Sequence, residues 1–392
     1  MIIESARTQP ADPRAGTVTV RGDGVVGAAA ALALAHAGLT VRVQPMAAPA
    51  RPARPDVRTY ALNAASVALL SRLKVWDALP PHSATAVRDM WIEGDAAGQL
   101  RFSAAQQRVP ALAWIVDAAA LEATLRHALR FTPGVSLAPT DPAPPALDVA
   151  ALGTNDLLLV CEGRDSAARE ALGVDMPRQP YGHSAVAARL TASRAHGGVA
   201  WQRFLPPSVL ALLPFDQPEV GHGYGLVWSV PTERALALQA AAMDDFEQAL
   251  NEAAGPAPGR LSLASGRHVW PLAVGVASAV HGPGWALLGD SAHTIHPLAG
   301  QGLNLGLADV ACLAGLMAQR EPWRPVGDPK LLARYARARR AHTLRMTQLT
   351  DGLWHVFAHP NPALRWARNQ GMRWLDRLSL LKTPLVRRAM DA

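Results

Sequence analysis

The 392-residue sequence contains few cysteines and few charged residues. Its two cysteines, Cys161 and Cys312, lie in apolar stretches, which excludes a small disulfide scaffold and predicts two buried free thiols in a reducing cytoplasm. Charged residues make up 18% of the chain and hydrophobic residues 49%, so an intrinsically disordered protein is excluded as well. At roughly 150 residues per domain, this length corresponds to two or three domains with a large core.

The sequence also lacks the run of about 20 apolar residues that a transmembrane helix needs, so no membrane span is predicted. The excess of basic over acidic residues is confined to the C-terminal end, since residues 320–392 carry a net charge of +10 and the rest of the chain carries −3. A nucleic-acid-binding protein would more often spread lysine and arginine along a groove with stacking aromatics among them. Nucleic acid is therefore not an expected partner, and the basic tail predicts contact with an anionic surface, with a merely solvated helix face as the alternative.

The tail sequence also predicts an amphipathic helix that begins at Asn361-Pro362. An apolar stripe that includes Trp374 lies on one face of this helix, while Arg365, Arg368, Arg373 and Arg377 lie off it. We expect the stripe to dock on the parent domain and leave the arginines free, with a helix lying on anionic lipid as the alternative.

A glycine-spaced turn between a short strand and a helix is the first motif that carries chemistry. Strand Val18–Val20 runs into Gly22-Asp23-Gly24-Val25-Val26-Gly27, and an Ala/Leu-rich helix follows to about Ala37, before a second strand at Thr40–Val43. In this GxGxxG pattern the first glycine permits the tight turn, the second lets the backbone approach a pyrophosphate, and the third lets helix and strand pack closely. The motif predicts a dinucleotide site, with an Ala-rich βαβ unit that binds nothing as the alternative.

The end of the second strand departs from that pattern. An acidic residue usually stands there and binds the adenosine ribose, whereas this chain has Gln44-Pro45. We expect Gln44 to hydrogen-bond the ribose in its place.

A second cluster follows the strand Trp285–Gly289, which delivers Asp290 at its carboxyl end. The loop after Asp290 leads into a helix, whose N-terminus can stabilise negative charge, while the carboxylate can accept hydrogen bonds from sugar hydroxyls. Two such sites on one chain predict a single long dinucleotide lying across the sheet. His293 and His296 have no third ligand nearby, so no metal is expected; with His183 they are weak candidates for acid–base groups.

These residues carry a resemblance to a known family. The second FAD-binding motif of the class A flavin monooxygenases, and most closely that of the ubiquinone-biosynthesis hydroxylases related to para-hydroxybenzoate hydroxylase, resembles the segment GDSAHTIHPLAGQGLNLG at Gly289–Gly306. Similar stretches occur along nearly the whole chain, at Asp56–Asn63, Tyr181–Val186, Gln202–Pro206, Ala211–Pro214, Val227–Pro231 and Lys382–Met390. The chain departs from the family at Glu162-Gly163, where an Asp-Gly is usual, and at Ala118 and Ala119, where a polar side chain often meets the cofactor.

The resemblance implies an FAD-dependent monooxygenase that hydroxylates an aromatic ring with NAD(P)H and O₂. Its expected substrate is apolar and aromatic, a polyprenyl-phenol intermediate of ubiquinone biosynthesis. Beside the three glycines of the turn and Gln44, the residues expected to bind FAD are Arg58, Glu162, Asp290, Pro297, Gly300, Gln301, Gly302, Leu303 and Asn304. The residues expected to line the substrate pocket are Phe204, Leu213, Trp228, Leu298 and again Pro297.

The expected fold is α/β, with a Rossmann-like FAD-binding domain, a β-sheet substrate domain and a C-terminal helical tail. Its expected parts are a tail at 1–16, a discontinuous FAD-binding domain at 17–85, 111–175 and 271–345, a substrate domain at 86–110 and 176–270, and C-terminal helices at 346–392. The expected location is the cytoplasm. Two further contacts of the basic tail stay open, one with the inner face of the membrane and one with subunits of a quinone-modifying assembly.

Two other functions stay open at this point. A hydroxylase of a small soluble aromatic would be favoured by an arginine pointing into the pocket. A scaffold without catalysis is suggested by the altered cofactor contacts at Pro45, Ala118 and Ala119.

Overall fold

The computed structural model describes residues 16–46, 55–96, 98–139, 147–150, 152–295, 301–358, 366 and 368–371. Within these residues the strands form a six-stranded sheet, a nine-stranded sheet and a three-stranded sheet, with helices packed on the first two. This arrangement confirms the predicted α/β fold, with a Rossmann-like domain joined to a second domain built on a sheet.

The strands, in chain order, are β1 (Val18–Arg21), β2 (Val41–Gln44), β3 (Thr59–Leu62), β4 (Ala84–Val87), β5 (Asp89–Glu93), β6 (Gln99–Ser103), β7 (Ala113–Asp117), β8 (Val135–Leu137), β9 (Leu157–Val160), β10 (Arg178–Ala192), β11 (Val199–Leu205), β12 (Ser208–Pro214), β13 (Gly223–Pro231), β14 (Leu261–Leu263), β15 (His268–Val276), β16 (His281–Gly282), β17 (Trp285–Leu287) and β18 (His293–Thr294).

The α-helices, in the same order, are α1 (Val25–His36), α2 (Ala64–Arg72), α3 (Ala104–Gln107), α4 (Ala118–Phe131), α5 (Ala167–Ala171), α6 (Thr232–Ala240), α7 (Met243–Ala254), α8 (Gly302–Ala318) and α9 (Pro329–Ala358).

The six-stranded sheet is parallel except at one edge. Its order is β16-β17-β9-β1-β2-β8, and only β16 runs antiparallel to its neighbour. All four residues of β9 are buried, as is typical of a parallel strand that is covered on both faces. The carboxyl ends of β1, β9 and β17 therefore meet at one edge of the sheet, which places the glycine turn, Glu162 and Asp290 side by side.

Helix α1 connects β1 to β2 and lies in the core of this domain. Its residues from Gly27 to Leu34 are all buried, and five of them are alanines. Because alanine side chains are short, α8 can pack closely against α1. Close packing of the two helices brings their N-termini toward the same edge of the parallel sheet.

The nine-stranded sheet, called the large sheet below, has the order β18-β15-β10-β13-β12-β11-β5-β6, with β14 paired to β10. Helices α6 and α7 cover one face and bury an apolar cluster that includes Trp228, Phe246 and Leu250. The opposite face looks toward the carboxyl edge of the parallel sheet. The predicted domain boundary at residue 270 falls inside β15, which pairs with β10 as part of the large sheet.

An ion pair joins the large sheet to the FAD-binding side. Arg189 on β10 lies 2.9 Å from the carboxylate of Asp117, which also caps the N-terminus of α4. Both side chains are largely buried, so this pair fixes how the two parts meet.

The two cysteines are free thiols, Cys161 buried and Cys312 half-buried, and burial raises the pKa of each. No helix in the described ranges is both long enough and apolar enough to cross a bilayer.

The described part of the C-terminal tail docks on the turn between β5 and β6. Arg368 pairs with Asp95, and the Asn369 amide donates to the same carboxylate at 2.8 Å while its oxygen accepts from the Gly98 N–H at 3.1 Å. The Arg368 side chain is only 2% exposed, so the expectation that the arginines of this helix stay free is wrong for Arg368. Most of the remaining predicted tail helix lies outside the described residues.

Candidate active site

A cavity of about 830 Å³ lies between the carboxyl edge of the parallel sheet and the open face of the large sheet. Its walls come from both domains. At one end it is lined by residues of the glycine turn and of the N-terminus of α8, and at the other by side chains of the large sheet. The two sequence motifs therefore face one continuous space.

The three glycines of the first motif have separate structural roles. Gly22 has φ +100°, and a Cβ there would lie 2.3 Å from the carbonyl oxygen of Cys161. A Cβ at Gly27 would lie 2.0 Å from the Gly22 oxygen. By contrast, a Cβ at Gly24 would meet no atom within 4 Å, and only this glycine of the three lines the cavity. Gly22 and Gly27 thus serve backbone packing, and Gly24 leaves space for a ligand.

The N-terminus of α8 reaches the same cavity. Gln301, Gly302 and Leu303 line it, and a Cβ at Gly302 would also meet no atom within 4 Å. Neither α1 nor α8 has a side chain that caps its N-terminus, so the first N–H groups of both helices remain available to a ligand. The close approach of the two helices depends on Gly306, where a Cβ would lie 2.7 Å from Val26.

Asn304 is buried and its side chain holds α8 in place. Its oxygen accepts hydrogen bonds from the Asn63 N–H at 3.0 Å and from the Ser66 hydroxyl at 2.8 Å, while its amide donates to the Ala61 carbonyl at 2.8 Å. Asn304 does not line the cavity. Its side chain therefore positions the N-terminus of α8, and the expectation that Asn304 itself contacts the cofactor is not met by this geometry.

Asp290 follows β17 and its carboxylate faces the cavity. The side chain of Asp290 is exposed to the cavity, but the protein around it raises the pKa of the carboxyl by desolvation, and the nearby His293, Arg164 and Arg58 only partly offset that effect. A carboxylate at this place can accept hydrogen bonds from a hydroxylated chain.

A buried charged network lies behind Asp290 and was not predicted from the sequence. Asp309 on α8 accepts hydrogen bonds from His293 Nε2 at 2.7 Å, from Arg339 Nε at 2.6 Å and from the Gly289 N–H at 3.0 Å. Burial alone would raise the pKa of Asp309, but these three donors together hold it below its usual value. His293 is thus committed to this network and does not line the cavity. A lone carboxylate within the apolar α8 sequence was the available signal of a buried partner.

Arg58 lines the cavity at its cofactor end. Its guanidinium forms a two-pronged contact with Asp56, with the shortest distance 2.6 Å, and lies 3.4 Å from Glu122. Arg58 also lies over the ring of Tyr60, which lines the cavity too. Burial raises the pKa of both Tyr60 and Glu122, so the tyrosine is neutral at physiological pH.

Glu162 lies at the cavity wall, but both of its oxygens are occupied. One accepts from Arg21 Nε at 2.8 Å, and the other accepts from the Ser166 hydroxyl at 2.9 Å and the Ala168 N–H at 2.8 Å. The carboxylate is therefore held by β1 and by the N-terminus of α5.

The large sheet supplies the apolar end of the cavity. Side chains on a strand alternate between the two faces, and the cavity face carries Ala185 and Ala187 on β10, Ala200 and Gln202 on β11, and Ala211 and Leu213 on β12. The predicted pocket residue Leu213 thus lines the cavity. Four of these six side chains are alanines, which occupy little of the space at this end of the cavity.

Two predicted pocket residues, Trp228 and Phe204, do not line the cavity. Trp228 lies on the other face of β13 and packs against Phe246 beneath α7, because its neighbour Val227 takes the cavity face. Phe204 lies two residues beyond Gln202 on β11 and packs with Val209 and Ile92 past the end of the cavity. Assigning Phe204 and Trp228 to the cavity wall was wrong, since the residue type alone does not give the strand register.

Other predicted site residues also lie away from the cavity. The ring nitrogens of His183 lie 2.9 Å from the Tyr181 carbonyl and 3.0 Å from the Pro207 carbonyl, which rules against a catalytic role for this histidine. Gln44 does not line the cavity, whereas Met46 on the same chain segment does. The predicted residues His296, Pro297, Leu298 and Gly300 lie outside the described residues.

The residues at the cofactor end fit a dinucleotide. Space for pyrophosphate oxygens lies over Gly24, helix N–H groups point into it, and Asp290 supplies an acceptor. The hydroxyl of Thr294, which also lines the cavity, is buried and has no hydrogen-bond partner among the described residues, as expected where a bound group supplies one. In the same parts of the chain, no three His, Cys, Asp or Glu side chains are grouped so as to hold a metal ion.

Comparisons with known proteins agree with this fit. Residues 154–350 match the family model described as FAD binding domain. The chain is 32% identical to 3-demethoxyubiquinol 3-hydroxylase of Escherichia coli, covering 95% of this chain and 98% of that protein, and 30% identical to the ubiquinone hydroxylase UbiL of Rhodospirillum rubrum, covering 95% and 89%. Its fold is similar to that of p-nitrophenol 4-monooxygenase PnpA of Pseudomonas putida, with a TM-score of 0.73 at 16% identity, covering 96% and 99%.

Proposed function

The chain belongs to the family of FAD-dependent aromatic monooxygenases that includes the ubiquinone hydroxylases, and from this we propose that it hydroxylates the aromatic ring of a ubiquinone precursor. The observation that carries the proposal is one continuous cavity, which has two helix N-termini at one end and an apolar sheet at the other. When bound, FAD supplies the redox chemistry, in which a reduced nicotinamide and O₂ are consumed, one oxygen atom enters the ring and the other leaves as water.

The protein's own residues bind and orient. We assign the pyrophosphate to the N–H groups that follow Gly24, the ribityl hydroxyls to Asp290, and the flavin ring to the backbone of Gln301–Leu303. Arg58 and Tyr60 close the side of this end of the cavity. The apolar walls exclude water from the reacting atoms.

The substrate end of the cavity favours an apolar ring with a hydrocarbon tail. Two arginines line the cavity within the described residues, Arg58 and Arg126, and both lie at the cofactor end in ion pairs with carboxylates. The large sheet places no arginine or lysine in the part of the cavity wall that the structure describes. A small anionic aromatic would therefore lack a counter-charge there, and a polyprenyl-phenol fits better.

Replacing Asp290 with asparagine tests the cofactor assignment. We expect the FAD dissociation constant to rise about 10- to 100-fold, because hydrogen bonds to a charged acceptor contribute about 1.5–3 kcal/mol. Wild-type affinity should also weaken as the pH falls through the raised pKa of Asp290, starting above the usual 3.8, because the protonated carboxyl is a poorer acceptor. Fluorescence titration of the apoprotein with FAD measures both. Asp245→Asn, at an exposed position on α7, is the matched control, and equal affinities of the two variants would refute the assignment.

Loss of the protein from its host tests the proposed pathway. A strain without this chain should accumulate a prenylated phenol that is one ring hydroxyl short of the next ubiquinone intermediate, as measured by mass spectrometry of lipid extracts. Complementation with the intact gene should remove it. Normal ubiquinone and unchanged intermediates in the deletion strain would contradict the proposal.

We further propose that the basic C-terminal end contacts an anionic membrane surface. The net charge of +10 over residues 320–392 supports this, because it stays strongly positive when Arg339 and Arg368, which pair with Asp309 and Asp95, are set aside, and each basic residue near such a surface contributes about 1 kcal/mol. We expect the protein to sediment with vesicles that contain phosphatidylglycerol and to be released from them by high salt. It should not sediment with vesicles of phosphatidylcholine alone. Equal binding to both kinds of vesicle would argue against the electrostatic contact.

A further inference from the structure

Gln202 provides the only side-chain amide on the described part of the cavity wall that belongs to the large sheet. Across the sheet its partners are Ala211 on β12 and Ile92 on β5. The residues that line the cavity around it on β5, β11 and β12 are Met90, Ala200, Trp201, Ala211 and Leu213, which are all largely apolar. Gln202 therefore places an amide among apolar side chains at the end of the cavity that the large sheet lines.

The strand register fixes the direction of this side chain. The next residue, Arg203, lies on the opposite face, where it donates to the Ala253 carbonyl at 2.6 Å and lies 2.7 Å from Glu93. Alternation along β11 then places Gln202 on the cavity side together with Ala200. Gln202 cannot turn to the other face without moving the whole strand by one residue.

An amide in this position has an energetic consequence once substrate binds. A ring that fills the cavity displaces the water that solvates the amide, and an unpaired polar group in an apolar site is costly. The amide has both N–H donors and a carbonyl acceptor. A ring that carries oxygen substituents can satisfy it, whereas a plain hydrocarbon ring cannot.

We propose that Gln202 is a specificity-determining residue that hydrogen-bonds an oxygen substituent, a hydroxyl or methoxy group, on the substrate ring. This inference rests on the proposed function, because it names the contact that orients the ring in the same cavity. It selects for rings that already carry an oxygen substituent.

The test compares two probes on the FAD-loaded, full-length protein. One is a prenylated 2-methoxyphenol, and the other is the matching prenylated toluene, whose ring carries no oxygen. Binding is measured from the change in visible flavin absorbance, which does not require turnover. In Gln202→Leu we expect affinity for the methoxyphenol to fall about tenfold, the value of one lost hydrogen bond, while affinity for the toluene stays within twofold.

Matched variants distinguish a lost hydrogen bond to the probe from a folding defect. Gln99→Leu makes the same change at an exposed site on β6 of the same sheet, and both affinities should stay at wild-type values. Gln202→Met, with an unbranched side chain, should repeat the result of Gln202→Leu, and all variants should retain FAD at wild-type stoichiometry.

Equal weakening for both probes, or no change for either, would overturn the role of Gln202 while leaving the proposed function intact. Failure of the wild-type protein to bind either probe would overturn both.

Discussion

Replacing Gly24 with valine is expected to give a folded protein that no longer binds FAD. The backbone at Gly24 has φ −66° and ψ 178°, which valine adopts without strain, and a Cβ there meets no protein atom within 4 Å. The added methyl groups instead fill the space above the N-terminus of α1 where the pyrophosphate is assigned. We expect the FAD dissociation constant to rise at least 100-fold, while the helix start loses only about 1 kcal/mol as a poorer N-cap. Fluorescence titration and thermal unfolding of the apoprotein measure the two effects separately.

Gly27→Val is the control that separates packing from ligand binding. A Cβ at Gly27 would lie 2.0 Å from the Gly22 oxygen, so this variant should lose stability even without cofactor. If Gly24→Val binds FAD as tightly as the wild type, the pyrophosphate does not lie over the first turn of α1. If Gly24→Val and Gly27→Val lose the same amount of stability, the assignment of Gly27 to packing and of Gly24 to ligand binding is wrong.

Asp309→Asn is expected to lower the free energy of unfolding by about 3–5 kcal/mol, since it leaves Arg339 in a buried site without its counter-charge. The amide of asparagine keeps one acceptor oxygen where Asp309 has two, so it cannot accept from Arg339 on one side and from His293 and the Gly289 N–H on the other, and FAD retention should fall as well. Denaturation in urea at neutral pH measures the loss. The matched control is Asp165→Asn, which breaks an exposed pair with Arg178 and should cost less than about 1 kcal/mol. Equal losses of unfolding free energy in both variants would mean that the buried network stabilises the fold no more than an exposed ion pair does.

The pH dependence of the same network has a definite sign. The pKa of Asp309 in the folded protein lies below the usual 3.8, so its carboxylate stabilises the fold above that pH, and the contribution disappears as the pH falls through the lower, folded value. The difference in unfolding free energy between the wild type and Asp309→Asn should therefore be full at neutral pH and should narrow below pH 3.8. A difference that widens on acidification would contradict the assignment of Asp309 as the ionised member.

The features that were correct from sequence are those governed by local backbone rules. The glycine turn, the strand before it and the helix after it follow from spacing, and the structure has all three where that spacing predicts. Asp290 likewise lies at the carboxyl end of its strand and at the cavity. Each of these depends on a few neighbouring residues.

The errors concern features that depend on long-range packing. Trp228 and Phe204 are large and apolar, which suited a pocket wall, but their faces are set by pairing with strands distant in the sequence. The role of His293 was not predicted because its partner Asp309 lies 16 residues further along, and Asp309 in turn accepts a hydrogen bond from Arg339, 30 residues beyond it. Gln202 was noted only as part of a family-like strand, and its exposure to the cavity became visible once the register of β11 was known.

The most direct test of the account is oxygen transfer by the purified protein. The FAD-loaded enzyme is given a prenylated 2-methoxyphenol, a reduced nicotinamide and ¹⁸O₂, and the product is analysed by mass spectrometry. The account predicts a ring-hydroxylated product that carries one ¹⁸O atom, formed only when FAD is bound. A protein that takes up no FAD, or a product whose new oxygen comes from water, would contradict it.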